Sequence, residues 1–351
     1  MTPSKFLKAF IIKRLPILVL LFVILNGNAQ NYRNAKAYIN DFGKNELFVK
    51  ESLMEYSTTI IDASPDTRVQ STLERIYKKL EEINVNLLKN DIGINGDTDL
   101  RDAFIKLNTK TITLLKNKSL KLNDYRVQSG LEYSEIYKNF AYKEYEISKY
   151  YLEILNYESS KKEFGLKYKI RIRNYNKKNV FEYNAYENLI FYKLNVLDEK
   201  LMQLFKYRNP KDVVECTNFM TNLAEESLIK TDLYKNDFVD TSLNNINVEF
   251  VNFMIKQNEA LLPLYQQYMT VSEDFQKFKS KFLEENNAIK VEDYNKEVQR
   301  YNDTKNKFFN TLTENQIAKA ELLKRWYVTN SNFLKNNIEF EDLYEKFTNS
   351  N

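Results

Sequence analysis

The sequence has very few of the residues that interrupt helices. Its 351 residues include six glycines and five prolines, and no glycine follows Gly165. Glycine and proline are concentrated in tight turns, so a chain poor in both is typical of long helices with few turns between them. We therefore expect an all-α protein.

Histidine is absent, and Cys216 is the single cysteine. Without histidine the chain cannot form a Ser-His or Cys-His nucleophile pair, a Glu-x-x-His di-iron motif, or a histidine-ligated zinc or haem site. The sequence also has no glycine-rich phosphate-binding loop. These absences exclude most familiar hydrolase designs, so we expect a protein that is not an enzyme and has no cofactor.

The first 29 residues have the three parts of a secretory signal peptide. A basic stretch precedes the apolar run 15–25, and small residues follow up to Ala29. Cleavage after Ala29 would make Gln30 the new N-terminus. We expect an exported protein, periplasmic or at the cell surface. No later apolar run approaches the roughly 20 residues of a membrane-spanning helix, so we expect no span in the mature chain.

The charge of the mature chain is balanced. The leader contains four of the 52 Lys and Arg residues and none of the 48 Asp and Glu residues, which leaves 48 of each sign. A formal net charge of zero gives no support for a protein that coats membranes or binds nucleic acid generally. We do not expect a nucleic acid partner.

The mature chain contains three pairs of similar segments, at separations of 143, 145 and 143 residues. They are Asn45–Lys50 with Asn188–Lys193, Ser64-Pro65 with Asn209-Pro210, and Asp97–Leu100 with Asp240–Leu243. Their common order predicts a duplicated unit of the size of one domain. We expect two tandem antiparallel bundles of long helices, an N-terminal bundle over 30–164 and a C-terminal bundle over 179–351. A single uneven bundle is the alternative.

Apolar residues at alternating steps of three and four mark the buried faces of helices. The three clearest stripes are Val69, Leu73, Ile76, Leu80, Ile83 and Leu87; Ile190, Leu194, Leu197, Leu201 and Leu204; and Leu243, Ile246, Phe250 and Phe253. The second unit also holds about 18 extra residues near 272–289, judged from the spacing of similar segments. We expect these residues to form an added short helix.

A basic segment, 165–178, separates the two units. Apolar and basic residues alternate from Gly165 to Arg173, which is the periodicity of a strand. Its candidate binding residues are Lys167, Lys169, Arg171, Arg173, Lys177 and Lys178. The functional interpretation is a patch that binds anionic lipid, glycan or nucleic acid, with Tyr168 and Tyr175 as stacking surfaces for bases. The alternative is a solvated interdomain strand, or a continued helix whose lysines neutralise nearby acidic faces.

A second candidate site is the loop from Asp91 to Asp102. It resembles a twelve-residue calcium loop, with oxygens at positions 1, 5, 9 and 12 and Gly96 at position 6. The candidate calcium ligands are Asp91, Asn95, Asp99 and Asp102. The structural alternative is a glycine stop followed by a helix that Asp97 or Asp99 caps.

Cys216 lies among apolar residues of a predicted helix. A lone cysteine in an exported chain cannot form an internal disulfide, so the core must supply the stability. We expect a buried thiol that acts as a small apolar side chain. The alternative is an intermolecular disulfide or a reactive thiol.

Three segments resemble those of uncharacterised exported helical surface proteins and lipoproteins of Gram-negative bacteria. They are 45–56, the helix start Ser64-Pro65, and Gly96–Lys106 before a long amphipathic helix. The resemblance implies a helical envelope protein without an assigned activity, and it transfers no catalytic or binding residue. This chain lacks the lipid-anchoring cysteine of the lipoproteins.

We therefore expect a non-catalytic protein that binds or scaffolds in the envelope, with envelope glycan, anionic lipid or another envelope protein as its partner. One alternative is a helical toxin or pore component, which would need an apolar hairpin. The other is an enzyme that uses carboxylates or lysine, whose sign would be charged side chains turned into a bundle core.

Overall fold

The computed structural model of the protein describes residues 32, 34–61, 66–117, 125–172, 179–284, 290–337 and 348–349. The helices in these ranges are α1 (Ala35–Ile61), α2 (Asp66–Asn90), α3 (Asp99–Lys116), α4 (Tyr125–Ser129), α5 (Tyr133–Lys167), α6 (Val180–Tyr207), α7 (Pro210–Tyr234), α8 (Ser242–Glu284) and α9 (Val291–Asn337). Two short strands, β1 (Ile170–Arg171) and β2 (Thr348–Asn349), pair in antiparallel orientation. The prediction of an all-α protein is confirmed.

The N-terminal core is formed by α1, α2, α3 and the C-terminal half of α5. Phe42 of α1 contacts Phe104 of α3, which in turn contacts Tyr157 of α5, each pair in edge-to-face geometry. All six residues of the α2 stripe are buried in this core. The stripe predicted from the sequence is thus confirmed as the buried face of α2.

The C-terminal core surrounds α6. Sixteen of the 28 residues of α6 are buried, because α4, α5, α7, α8 and α9 all pack against it. A helix that is apolar on most sides is expected at the centre of a core. Within this core the ring of Trp326 on α9 stacks on Phe191 of α6 with a centroid distance of 3.5 Å.

Helix α5 belongs to both cores. Ile136, Phe140 and Ile147 pack in the C-terminal core, and Tyr157 and Phe164 pack in the N-terminal core. The predicted boundary at residue 164 places all but the last three residues of the helix in the N-terminal unit. The structure instead places the division of apolar contacts within the helix.

The repeated segments occupy corresponding places in the order of helices. One pair lies in α1 and α6, the first helix of each unit, and Asn209-Pro210 begins α7. Asp97 Oδ1 accepts a hydrogen bond from Asp99 N at 3.1 Å just before α3, and Asp240 Oδ1 accepts one from Ser242 N at 3.0 Å just before α8. Ser64-Pro65 lies outside the described residues. Duplication stays a prediction.

The extra residues of the second unit lengthen a helix. The prediction of an added short helix is wrong for 272–284, which continue α8 and pair with α9 in a long hairpin. Aromatic contacts hold the outer part of the hairpin, with Phe275 stacked on Tyr301 at 5.0 Å and Phe282 stacked on Tyr294 at 4.4 Å. Because these residues pack against α9, they continue α8 and do not form a separate short helix.

The basic segment is described as far as residue 172. Residues 165–167 are the last residues of α5, and the strand in this described part is Ile170–Arg171. A Cβ on Gly165 would lie 2.6 Å from the side chain of Ile172, so glycine allows the chain to fold back closely at this point. The alternation thus predicted the strand correctly at its centre and wrongly at its start.

The length and hydropathy of the helices decide whether any of them could cross a membrane. No helix within the described ranges is both long enough and apolar enough to cross a membrane. The leader, 1–29, lies outside these ranges.

Candidate functional site

The basic segment is attached to the loop before α3. Lys167 Nζ lies 2.7 Å from Asp97 Oδ2, and the Tyr168 hydroxyl donates to the same oxygen at 2.9 Å. The hydrogen bond to Asp97 raises the pKa of the Lys167 ammonium above its usual range. Lys167 is therefore partly neutralised by Asp97 and helps to fix the end of α5.

Two basic residues of the segment are exposed and have no ion-pair partner within the described ranges. The side chains of Lys169 and Arg171 are exposed, and neither forms an ion pair with a described residue. The backbone of Lys169 has a φ of 55°, which reverses the chain after α5, and Arg171 pairs with Thr348 in the two-stranded ladder. The predicted residues Arg173, Tyr175, Lys177 and Lys178 lie outside the described residues.

The loop predicted as a calcium site is held by internal hydrogen bonds. Asp91 Oδ1 accepts from Gly93 N at 2.7 Å, and Arg101 donates to the carbonyl oxygen of Asp91 at 2.5 Å. Asp102 accepts from Arg101 Nε at 2.8 Å and from Thr98 Oγ1 at 3.0 Å. Two of the four predicted ligands thus already have partners within the loop.

The other two predicted calcium ligands, Asn95 and Asp99, are exposed. Asp97 Oδ1 accepts from Asp99 N in the turn before α3, but the N-cap residue of α3 is Thr98 and no side chain makes a capping hydrogen bond, so the cap predicted at Asp97 or Asp99 is not formed. Among the residues the model describes, no three or more acidic, cysteine or histidine side chains are grouped so that they could hold a metal ion. Calcium binding by this loop stays a prediction.

Charged side chains lie inside the N-terminal core, where no local sequence pattern predicts them. Glu46 of α1 accepts from the Tyr157 hydroxyl at 2.6 Å and from Lys161 Nζ at 3.2 Å. Burial alone would raise the pKa of Glu46, but the charges of Lys161 and Lys50 and the Tyr157 hydrogen bond lower it below its usual range. Lys161 also pairs with Glu158 at 2.7 Å. The buried charges are therefore compensated in place.

Glu187 is the centre of a polar layer in the C-terminal core. Its carboxylate accepts from the amide of Asn244 at 3.0 Å and from the amide of Asn247. Asn247 in turn accepts from the indole N–H of Trp326 at 2.6 Å. Burial raises the pKa of Glu187 in spite of these donors.

A third buried acid, Asp198, lies on α6, C-terminal to Glu187. Its carboxylate accepts from Gln257 of α8 at 2.6 Å and pairs with Lys319 of α9. Asp198 is fully buried, so these two partners replace the water that a carboxylate needs. The acid thus cross-links three helices.

A small cleft between α5, α6 and α7 is lined by the charged residues Glu144, Lys193, Glu226 and Lys230. Glu144 lies 2.7 Å from Lys193 Nζ and 2.6 Å from Lys230 Nζ, and Lys230 also pairs with Glu226 at 2.9 Å. Burial alone would raise the pKa of Glu144, but the hydrogen bonds from both lysines lower it. The enclosed part of the cleft has room for about one water molecule. It offers no space for a substrate.

Cys216 is fully buried on α7, with its thiol directed at the carbonyl oxygen of Leu197 at 3.6 Å. Burial raises the pKa of the thiol to about 12. The prediction of a buried, apolar cysteine is confirmed.

Comparison of the chain with models of protein families, with curated proteins and with solved structures gives no match. The resemblance to exported surface proteins of Gram-negative bacteria therefore stays a prediction.

Proposed function

We propose that the protein is a non-catalytic helical protein of the cell envelope, which binds anionic groups through the exposed end of its basic segment. The observation that carries the proposal is that Lys169 and Arg171, two positions apart on the reversal after α5, are both exposed. Phosphate groups of lipid and acidic groups of glycan would both be attracted by these cations.

The contacts of the basic segment support a rigid presentation of these cations. Lys167 and Tyr168 are tied to Asp97, and β1 is paired with β2. Because the backbone on both sides of Lys169 is held, the two cations need little ordering when they bind.

The buried charges give little support to the alternative of a carboxylate- or lysine-dependent enzyme. Charged side chains do point into the cores, which was the expected sign of such an enzyme. However, Glu46, Glu187 and Asp198 each accept hydrogen bonds from buried side chains of neighbouring helices. Carboxylates that are committed to internal donors are not available to a substrate.

The toxin or pore alternative needs an apolar hairpin that can enter lipid. The long hairpin of α8 and α9 is charged near its outer end, where Lys296 pairs with Asp293 and Arg300 pairs with Glu297. Inserting such a hairpin would bury several ions at a high cost in free energy.

Export is the second part of the proposal. It rests on the basic, apolar and small-residue parts of the leader, which end at Ala29. Expression of the full chain in a Gram-negative host, followed by terminal sequencing of the product, tests it. A periplasmic or surface-bound product that begins at Gln30 supports export, and a cytoplasmic product that retains the leader contradicts it.

Binding is tested with the mature chain, anionic vesicles and acidic envelope polysaccharide, each at low and high salt. We expect salt-sensitive binding to one of the two, and its loss in the variant Lys169→Gln/Arg171→Gln. The matched control is Lys256→Gln/Lys324→Gln, which removes two exposed charges elsewhere. Equal binding by both variants, or no binding by the parent to either surface, would contradict the proposal.

A further inference from the structure

Helix α5 has an apolar stripe on its outer face. Five large apolar side chains are well exposed there: Tyr137 (64%), Tyr145 (61%), Leu152 (57%), Leu155 (62%) and Leu166 (82%). At 100° per residue they lie within an arc of about 80°, and they extend for roughly 44 Å along the helix. Single exposed apolar residues are ordinary, but five large ones aligned along one face of a helix indicate an interaction surface.

The stripe has the spacing of a coiled-coil seam. Four of the five residues, all but Tyr137, belong to a series of positions separated alternately by four and three residues: Ala141, Tyr145, Ser148, Leu152, Leu155, Ser159, Lys162 and Leu166. All eight side chains are exposed, and the opposite face of α5 is buried in the two cores. This spacing is the one with which a second helix can pack along the whole length of α5.

We propose that the partner is a second copy of this chain, paired through α5 in antiparallel orientation. With the two-fold axis between residues 153 and 154, every seam position faces a chemically suitable one in the other copy. Leu152 faces Leu155, Ser148 faces Ser159, Tyr145 faces Lys162 and Ala141 faces Leu166. The first contact is apolar and the second joins two hydroxyl groups. The third places a cation against an aromatic ring. The fourth places a large side chain opposite a small one.

A parallel pair would lack this complementarity. Each seam residue would then face itself, so that Lys162 would meet Lys162 and Ala141 would meet Ala141. The first contact repels, and the second leaves a gap where the antiparallel pair has Leu166. The sequence of the seam therefore selects the antiparallel arrangement.

Charges beside the seam also fit the antiparallel pair. On one edge, Lys149 of each copy would approach Glu163 of the other, with Asn156 near the axis. Lys149 lies 3.7 Å from Glu146 within its own chain, which is a loose pair on the surface. Lys149 can therefore turn to Glu163 of the second copy at little cost.

The other edge carries two acids that would approach each other, Glu144 and Glu158. Each is balanced within its own chain, Glu144 by Lys193 and Lys230, and Glu158 by Lys161. Repulsion across this edge is therefore reduced. The contact involves one helix from each copy, which is small for a protein interface, so the dimer should dissociate on dilution.

Sedimentation of the mature chain over a wide range of concentration is the first test. We expect a reversible monomer–dimer equilibrium, and a monomer at all concentrations for Leu152→Glu/Leu155→Glu, which would place four carboxylates at the axis. The matched control is Ile229→Glu/Leu233→Glu on α7, whose two positions are equally exposed at 64% and 69%. The control should still dimerise. A monomeric parent, or equal loss in both variants, would overturn the proposal.

Crosslinking tests the orientation without disturbing the apolar contacts. Ser148→Cys and Ser159→Cys are mixed and treated with a short thiol-specific crosslinker, while Cys216 stays protected by burial. In the antiparallel pair the two cysteines face each other, whereas two copies of Ser148→Cys hold theirs roughly 16 Å apart. We expect crosslinked dimer from the mixture only. Crosslinking of Ser148→Cys with itself, or of neither sample, would overturn the proposed pairing.

Discussion

Lys161 Nζ lies 3.2 Å from Glu46 Oε2 in the N-terminal core, with both side chains buried. The two residues are 115 positions apart in the sequence, so the ion pair ties α1 to α5, the helix that belongs to both cores. If one residue of a buried ion pair is replaced, the other stays buried as a charge without a partner, and the folded state is destabilised.

Replacing one member should therefore be more damaging than replacing both. We expect Lys161→Met to lower the free energy of unfolding by about 3–5 kcal/mol, because Glu46 would stay buried without its cation. The double variant Lys161→Met/Glu46→Leu should recover a large part of this loss. Urea denaturation measures both, with Lys162→Met at the neighbouring exposed position as the control. If Lys161→Met were as stable as Lys162→Met, the ion pair would not stabilise the N-terminal core as proposed.

The same pair should make stability depend on pH. The folded-state pKa of Glu46 lies below its unfolded value of about 4.5, so the stabilisation is fully present above that pH and is lost as the pH falls through the folded pKa. Glu46→Gln removes this dependence. We expect the urea midpoint of the parent to fall more steeply below about pH 4.5 than that of the variant. If the urea midpoints of the parent and of Glu46→Gln fell equally with pH, the lowered pKa of Glu46 would be contradicted.

The two glycines of the loop before α3 should respond differently to alanine. Both have positive φ, but a Cβ on Gly93 would lie 2.1 Å from the carbonyl oxygen of Asp97, whereas a Cβ on Gly96 would meet nothing within 4 Å. We expect Gly96→Ala to cost about 1 kcal/mol from backbone strain and Gly93→Ala to cost clearly more, because the loop must open. Thermal melts of the two variants compare them directly, and equal losses would contradict the loop geometry.

The thiol of Cys216 should be unreactive in the folded protein. It is fully buried, and burial raises its pKa to about 12, so almost none is thiolate at neutral pH. In the folded protein we expect a thiol reagent to label Cys216 only as fast as the C-terminal core opens. In denaturant, labelling should be immediate. Rapid labelling without denaturant would mean that the thiol is accessible.

The buried faces of the helices could be predicted from the sequence because their signal is local. The stripe from Val69 to Leu87 repeats at helical spacing, and all its members are buried as predicted. Likewise, the absence of glycine after Gly165 correctly indicated long helices such as α8 and α9.

The polar interior could not be predicted, because its partners are far apart in the sequence. Asn184, Asn188 and Asn330 form a closed ring of hydrogen bonds between α6 and α9, with distances of 2.5–2.7 Å. The chain is rich in asparagine, and nothing local distinguishes these three from exposed ones. Lys161 likewise has no local sign of burial, and only its distant partner Glu46 accounts for its place in the core.

The outer face of α5 was missed for a related reason. Its apolar residues have the same spacing as a buried stripe, so the sequence alone does not show which of the faces of α5 meets the cores. Only the contacts with α3 and α6 identify the buried face and leave Leu152 and Leu155 outside.

Hydrogen–deuterium exchange of the mature protein, with and without anionic vesicles or acidic polysaccharide at low salt, tests the proposed binding surface most directly. We expect the ligand to slow exchange in the peptide that contains Tyr168–Ile172, and high salt or Lys169→Gln/Arg171→Gln to abolish the effect. Slowed exchange confined to other parts of the chain, or no change anywhere with either ligand, would contradict the proposal that the end of the basic segment is the binding surface.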